Sequence, residues 1–343
     1  MTSSIGEQLF ESVKRPDGPT AQDKLRPVHT FGISARGTFR ASAVAKNFCN
    51  ALHFQGTDIP VTVRFSNGLG CMAQHDSWSD PRGLAARFHL SKEGEPEIAT
   101  DLIAMTLPEY FTPTVDTFLA FAEMAKPTPY RRESAWRKIW DLLNLKIPQP
   151  DPYPGEIISP YEGAMDYARS NDFSKYSIYQ VSMIGAPVSY ARAAYHAVHT
   201  FIVTGQDGTR RWVRFTWTPT VGVLPRDQNE KPQDHYLAHE LRHRLSKGAV
   251  EFCLMMVIGE VGDDFADSSR AWGSQRQRVN MGTLTLDKIA EDQLADCEHI
   301  SFNPMRLIDG IEASDDPLLR ARLETYEASR KARDGAVCPF SRS

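Results

Sequence analysis

Cysteine is sparse and unpaired in pattern. Cys49, Cys71, Cys253, Cys297 and Cys338 are scattered along 343 residues, with no CxxC among them. Such a set argues against a disulfide framework and for reduced thiols in a cytoplasm. No stretch approaches the roughly 20 apolar residues that a membrane-spanning helix requires. The opening MTSSIGEQLFESVKRPDG has no basic segment followed by an apolar one, so no secretory signal is expected. Neither sign of charge dominates. Against 43 acidic residues stand 39 basic ones, a net charge of −4, which excludes a general nucleic-acid binder. The chain also lacks a Walker phosphate loop, a GxGxxG turn and a GxSxG elbow. These gaps leave a soluble globular enzyme, with neither nucleic acid nor membrane as expected partner.

What is present alternates. In Val61-Thr62-Val63-Arg64-Phe65-Ser66 the apolar residues share one face of a strand and Thr62, Arg64 and Ser66 share the other. Leu84–Leu90 reads as a second strand after a Pro81-Arg82-Gly83 turn. His199–Thr204 and Arg211–Thr218 flank Gln206-Asp207-Gly208, a hairpin signal. Ala249–Val257 and Val279–Leu286 are further strands. Helical spacing predicts helices over Val115–Ala125, Ala135–Leu143, His235–Lys247 with Gly248 at C′, and Pro317–Arg333 opened by Asp316. Lys146–Ile158 is rich in proline and reads as surface loop. Residues 1–25 read as a polar arm with a short helix through Ile5 and Leu9, and 26–343 as one domain. The class is α+β, built on an antiparallel sheet or barrel.

Three constellations carry chemistry. His239-Glu240-Leu241-Arg242-His243 is an HExxH, which on a helix sets two imidazoles on one face beside a glutamate, as in zinc hydrolases. His235 extends that row and Glu260 is a candidate third ligand. The same segment is dense in charge, as a solvated helix face is, and the metzincin continuation is missing. Asp263, Asp264 and Asp267 lack EF-hand spacing and read as a polar turn. In the last helix Arg322, Tyr326 and Arg333 stand at i, i+4 and i+11, within about 40° on the helix wheel. A cation beside a phenol favours its phenolate, a hard ligand suited to ferric haem. Spacing alone equally describes a surface tyrosine on an arginine-rich helix. Near the other end, His29 follows Val28 ahead of Gly32 and Gly37, as either a structural histidine or an acid–base group.

In combination these segments resemble the haem catalase superfamily, and most of all its short branch, the catalase-related peroxidases. RPVHTFGISARGTF (26–39) is similar to the distal-histidine segment, VTVRFSNG (61–68) with DPRGLAARFHL (80–90) to the second block, YHAVHTFIVTGQDGTRRWVRFTWTP (195–219) to the hairpin, and FNPMRLIDGIEASDDPLLRARLETYEASRKAR (302–333) to the proximal helix. The resemblance spans about Arg26 to Arg333, in the family order. It implies a catalase-like β-barrel with surrounding helices and haem b between barrel and C-terminal helix. It implies His29 as distal histidine, with Val28 next to the cofactor, and Ser66 as the serine bonded to that imidazole. Tyr326 becomes the axial ligand of the haem iron, Arg322 the arginine that keeps it ionised, and Arg26, Arg64 and Arg333 the partners of the haem propionates. Phe118 takes the place of the aromatic ring over the haem.

The sequence also departs from that pattern. The large catalases carry a distal asparagine where this chain has Met105 or Thr106, and Thr30 replaces the alanine after the distal histidine. The chain is far shorter than a large catalase. The resemblance therefore implies a haem peroxidase that reduces organic hydroperoxides, hydrogen peroxide or both through a ferryl intermediate, with weak catalase activity and a small-molecule electron donor. A related branch rearranges fatty-acid hydroperoxides, but tends to carry threonine where Val28 stands. A non-catalytic haem carrier is opposed by the presence of both His29 and Tyr326. A zinc hydrolase on the HELRH helix ranks last. A homodimer is the expected assembly, being the commonest closed one.

Overall fold

A computed structural model of the chain describes residues 3–91, 96–126, 128–129, 134–145, 158–159, 162–227, 230 and 232–334. The alternation at Val61–Ser66 lies inside one of eight long antiparallel strands. These are β1 (Gly32–Ala41), β2 (Asp58–Asn67), β3 (Arg82–His89), β4 (Ala99–Met105), β5 (Tyr195–Thr204), β6 (Arg210–Pro219), β7 (Val250–Ile258) and β8 (Arg278–Ile289). Each pairs with the next in chain order, and β8 returns to β1, so the sheet closes into a barrel. Closure leaves no long edge strand exposed among the described residues. A ninth strand, β9 (Ile311–Ala313), extends the free part of β5.

The barrel is filled by the apolar side chains that alternation turns inward. Val61, Val63 and Phe65 join Phe39, Phe54, Phe88, Phe215, Trp217 and Phe252 in one buried core. The rings of Phe39 and Phe88 meet edge-on at 5.3 Å, an arrangement the ring quadrupoles favour. The hairpin between β5 and β6 turns at Gly208, whose φ of +74° suits glycine. Asp207 ties it by accepting from the Thr209 N–H at 2.9 Å.

The outward face of β2 does not meet water. Arg64 and Ser66 are as buried as their apolar neighbours, because the chain before β1 and the chain after β8 cover them. Helices complete this second layer. These are α1 (Ile5–Ser12), α2 (Val115–Met124), α3 (Ala135–Leu143), α4 (Glu162–Ser170), α5 (Asp172–Met183), α6 (Tyr236–Leu245) and α7 (Pro317–Ala332). The first has a capping box between Ser4 and Glu7 and packs along α7, so part of the arm at 1–25 is ordered against the C-terminal helix. Helices α2 to α5 are inserted between β4 and β5, where the barrel is laced by the single pair Met105–His196.

Several expectations need correction. Arg82 and Gly83 belong to β3 and not to a turn. The glycine-containing run after His29 is strand β1. Helix α6 is capped at Ser246, so Gly248 is not its C′ residue. Asp263, Asp264 and Asp267 form a polar turn, with Asp264 Oδ1 accepting from the N–H of Ala266 and of Asp267. Cys338 and residues 146–157 of the proline-rich stretch lie outside the described residues. Among the described residues no helix is long and apolar enough to cross a membrane.

Candidate active site

A cavity of about 380 Å³ lies between the outer face of the barrel and helices α1, α2, α4, α5 and α7. That is a size typical of pockets for organic ligands. His29, Ser66, Val28, Arg26, Arg64, Phe118, Arg322, Tyr326 and Arg333 all line it. The structure thus brings together every site residue that the sequence singled out by resemblance.

His29 is held at the barrel wall from three directions. Its backbone is left-handed, with φ of +55°, a conformation uncommon outside glycine. Its N–H donates to Gly68 O at 3.1 Å. The loop at Gly68 is itself pinned, since the buried Asp80 carboxylate accepts from the N–H groups of Gly68 at 2.6 Å and Leu69 at 3.2 Å and from Arg82 at 2.9 Å. The imidazole Nδ1 lies 2.9 Å from Ser66 Oγ. Gly83 forms the floor, where a Cβ would stand 2.8 Å from that hydroxyl and 2.9 Å from Nδ1. Burial pushes the pKa of His29 down to about 3, and the nearby charges of Arg64, Arg322 and Arg26 push the same way. The ring is therefore neutral, and Nε2 is the nitrogen left for a ligand.

One end of the cavity is cationic. Arg26 Nη1 reaches Glu298 Oε2 at 2.8 Å, Arg64 Nη2 lies 3.5 Å from Glu298 Oε1, and Arg333 Nη1 donates to the Glu298 carbonyl. Arg64 also donates to His29 O at 3.0 Å and so couples this end to the imidazole. Gly32 makes room for it, because a Cβ there would stand 2.4 Å from the Arg64 guanidinium carbon. Burial and mutual repulsion bring Arg26 down to about 10 and Arg333 down to about 9. Three guanidinium groups against one carboxylate leave two buried positive charges, which suits a ligand carrying two carboxylates.

Tyr326 projects from α7 into the same cavity. Arg322 Nη2 donates to its hydroxyl at 2.5 Å, with the guanidinium carbon 5.2 Å from the ring centroid. Burial acts to lower the Arg322 pKa, but Tyr326 and Tyr110 outweigh it and the pKa is raised. Behind this pair, His199 Nδ1 lies 2.7 Å from Asp316 Oδ2. Asp316 is also the N-cap of α7, with Oδ1 accepting from Leu318 and Leu319. His199 lines the cavity and its buried Nε2 has no partner among the described residues. Phe118 on α2 stacks with Tyr110 at 6.1 Å.

Met105 and Thr106 separate clearly. Met105 lines the cavity, whereas Thr106 Oγ1 accepts from the Arg82 N–H at 2.9 Å. The residues that sequence reasoning missed are Gly83, Asp80, His199 and Asp316. Their signals were weak: a glycine read as turn, an aspartate read as helix opening, and a histidine inside a strand.

The HELRH helix does not build a metal site. His239 and His243 face solvent, and Glu240 accepts from Arg244 Nε at 2.8 Å. Glu260 pairs with Arg276 at 2.9 Å. Among the described residues only Asp76, Asp234 and His235 come close enough together to share an ion. Asp76 is already engaged there, accepting from Asn67 and from the Leu237 N–H. These placements give the zinc-hydrolase alternative no support among the described residues.

Comparison with known proteins bears on the family and the fold. A family model described as catalase matches residues 24–338. A catalase-related peroxidase of Mycolicibacterium paratuberculosis is 31% identical over 335 residues, covering 96% of this chain and 95% of that protein. One of Synechococcus elongatus is 28% identical over 310 residues, covering 89% and 82%. Among solved structures, a fungal catalase superposes with a TM-score of 0.72 at 21% identity, covering 92% of this chain and 60% of that one. Catalase A from Saccharomyces cerevisiae gives 0.71 at 21%, covering 90% and 61%. At these identities the structural likeness concerns the fold.

Proposed function

The chain belongs to the catalase family and is an oxidoreductase acting on peroxide, and on that premise we propose that it is a haem-dependent peroxidase with weak catalase activity. The observation that carries the proposal is one cavity walled by a neutral imidazole at the barrel and a guanidinium-bonded phenol on α7, with two uncompensated positive charges at one end. That donor set fits haem b. Tyr326 would hold the iron, Arg26, Arg64 and Arg333 the two propionates, and Val28 and Phe118 the macrocycle. Bound there, haem supplies the redox chemistry of peroxide reduction.

The chain's own residues handle the proton and the orientation. His29, neutral at physiological pH, takes a proton at Nε2 from the incoming peroxide and returns it to the departing oxygen. Ser66 and Gly83 fix the ring plane for both transfers. The Arg322 guanidinium fixes the position of the Tyr326 oxygen through its hydrogen bond. Met105 presents a thioether where an amide could have oriented a second hydrogen peroxide, so return to the resting state falls to a small organic donor. The apolar helical wall, with Phe118, Phe121, Ile178 and Val181, accommodates the alkyl part of an organic hydroperoxide. It also supports the second reading, rearrangement of fatty-acid hydroperoxides without a donor. We place the enzyme in the cytoplasm, in keeping with its free thiols at Cys49, Cys71, Cys253 and Cys297, and as a homodimer.

The test compares wild type with Tyr326→Phe by ultraviolet–visible spectrum and by iron and zinc content. A ferric Soret band with about one iron per chain, altered or lost in the variant, is the expected result. A colourless protein after expression with ample haem would overturn the proposal. A lipid hydroperoxide consumed at full rate without donor would favour the second reading.

A further inference from the structure

Helix α3 is turned inside out. In an ordinary surface helix the apolar stripe faces the core and polar residues face water. Here Asp141 is the buried residue, at 3% exposure, and Trp136, Trp140 and Leu143 are 80%, 65% and 74% exposed. Ile139 and Leu142 are exposed beside them. Positions 136, 139, 140 and 143 share one face at helical spacing, so the exposure is a contiguous stripe with two indoles. On the inward side Asp141 Oδ2 lies 3.7 Å from Arg169 of α4 and, within α3, 3.8 Å from Arg137. The helix has a firm start, with Ser134 Oγ accepting from the Arg137 N–H at 3.2 Å. An apolar face of this extent on a capped helix marks an interaction surface.

Charge selects the partner. Residues 126–146 contain Lys126, Arg131, Arg132, Arg137, Lys138 and Lys146 against Glu133 and Asp141, a net charge of +4 in a chain whose total is −4. Of the two acids, Asp141 faces the protein. We infer that α3 is an interfacial anchor that docks the enzyme on an anionic lipid surface, its indoles and aliphatic side chains entering the headgroup layer and Arg137 and Lys138 meeting lipid phosphates. Tryptophan with leucine on one face and arginine with lysine at its margins is the chemistry of helices that lie in a membrane interface. A second copy of the chain fits less well, because a two-fold contact through this stripe would set the +4 segment against itself. The inference departs from the sequence expectation of no membrane partner by adding surface attachment. Through Asp141 and Arg169, α3 is tied to α4, whose Ala164 lines the cavity. Docking therefore turns the helical side of the cavity toward the lipid.

The inference is independent of haem, and it is tested by sedimenting the full-length protein with vesicles. One set is phosphatidylcholine alone and the other contains about one third phosphatidylglycerol. Wild type should bind the anionic vesicles and be released by high salt. Trp136→Ser/Trp140→Ser and Arg137→Glu/Lys138→Glu should each reduce partitioning by about tenfold or more, with unchanged circular dichroism. Absence of binding to anionic vesicles at low salt would overturn the inference. So would equal binding by the variants. So would a wild-type dimer that becomes monomeric in the tryptophan variant while neither form sediments with lipid.

Discussion

Gly83 lies directly beneath His29, close enough that a single added methyl group would meet the imidazole Nδ1 at 2.9 Å and its Ser66 partner at 2.8 Å. Neither neighbour can retreat, because the His29 backbone is fixed at Gly68 and Ser66 is set in the ladder of β2. Gly83→Ala should therefore reduce peroxide turnover by about 10- to 100-fold through loss of imidazole orientation. Ser66→Ala should give a smaller loss of the same kind. Donor oxidation at saturating peroxide checks both, and an unaltered Soret position shows that the cofactor site is intact.

Arg333 is held in an unfavourable place by burial and by the like charge of Arg26, and its pKa drops to about 9. A base with a depressed folded pKa weakens the apo fold at all lower pH. Arg333→Gln should consequently raise the melting temperature of the cofactor-free protein. It should at the same time weaken haem binding by about tenfold, because one of two surplus charges is removed. A haem titration and an apo melt, read together, check the pair of opposite effects.

Met105→Asn would place an amide at the cavity wall. Oxygen release from hydrogen peroxide should rise about tenfold or more, and the dependence on an organic donor should fall. An oxygen electrode and a donor-oxidation assay on one preparation measure the ratio. An unchanged ratio would locate the peroxidase character elsewhere.

Acid should unfold the protein in a defined window. Burial first, aided at His29 by three arginines and at His196 by Arg278, lowers His29 and His53 to about 3 and His196 to about 4. The unfolded chain takes up these protons below about 6.5, and the folded chain takes them up only near 3 to 4. The histidine contribution to stability is therefore full above about 6.5 and declines as pH falls toward 3. His53 sits between Phe54 at 4.0 Å and Phe88 at 4.7 Å with Nδ1 unpartnered. His53→Phe should shift the acid midpoint downward, as read by circular dichroism against pH.

Asp316→Ala removes two contacts at once, the cap of α7 and the partner of His199. A lost cap alone costs about 1 kcal/mol, and the unpaired buried imidazole adds about 1–3 kcal/mol. Because α7 carries Arg322 and Tyr326, the Soret band should broaden or shift at temperatures below the main melt. Asp316→Asn, which can still cap, should retain more of both.

Strand periodicity was legible wherever one apolar face was intact, as at Val61–Ser66 and the β5–β6 hairpin. It failed at β1, where Gly32 and Gly37 interrupt the pattern because the neighbouring strands β2 and β8 approach the backbone closely. Helices α4 and α5 escaped because their apolar residues are interleaved with serine and tyrosine. The candidate site was readable through the family resemblance, since spacing alone left His29 and the Arg322–Tyr326 pair open to a structural reading. The supporting layer was not. Gly83, Asp80 and Asp316 act through close approach and through backbone hydrogen bonds, and neither leaves a spacing in the sequence. The HELRH motif misled for the opposite reason, since its spacing is right and its face is in water.

The single-pair seam between β4 and β5 divides the barrel into two four-stranded meanders that are distant along the chain. Arg26, His29, Arg64 and Ser66 belong to the first, and Arg322, Tyr326 and Arg333 follow the second. Neither half owns a cavity. Closure of this seam and of the β1–β8 seam are late, high-contact-order events. On the proposed haem assignment, cofactor uptake would succeed only on a chain that has finished both, and the prosthetic group would be a checkpoint that registers completed folding.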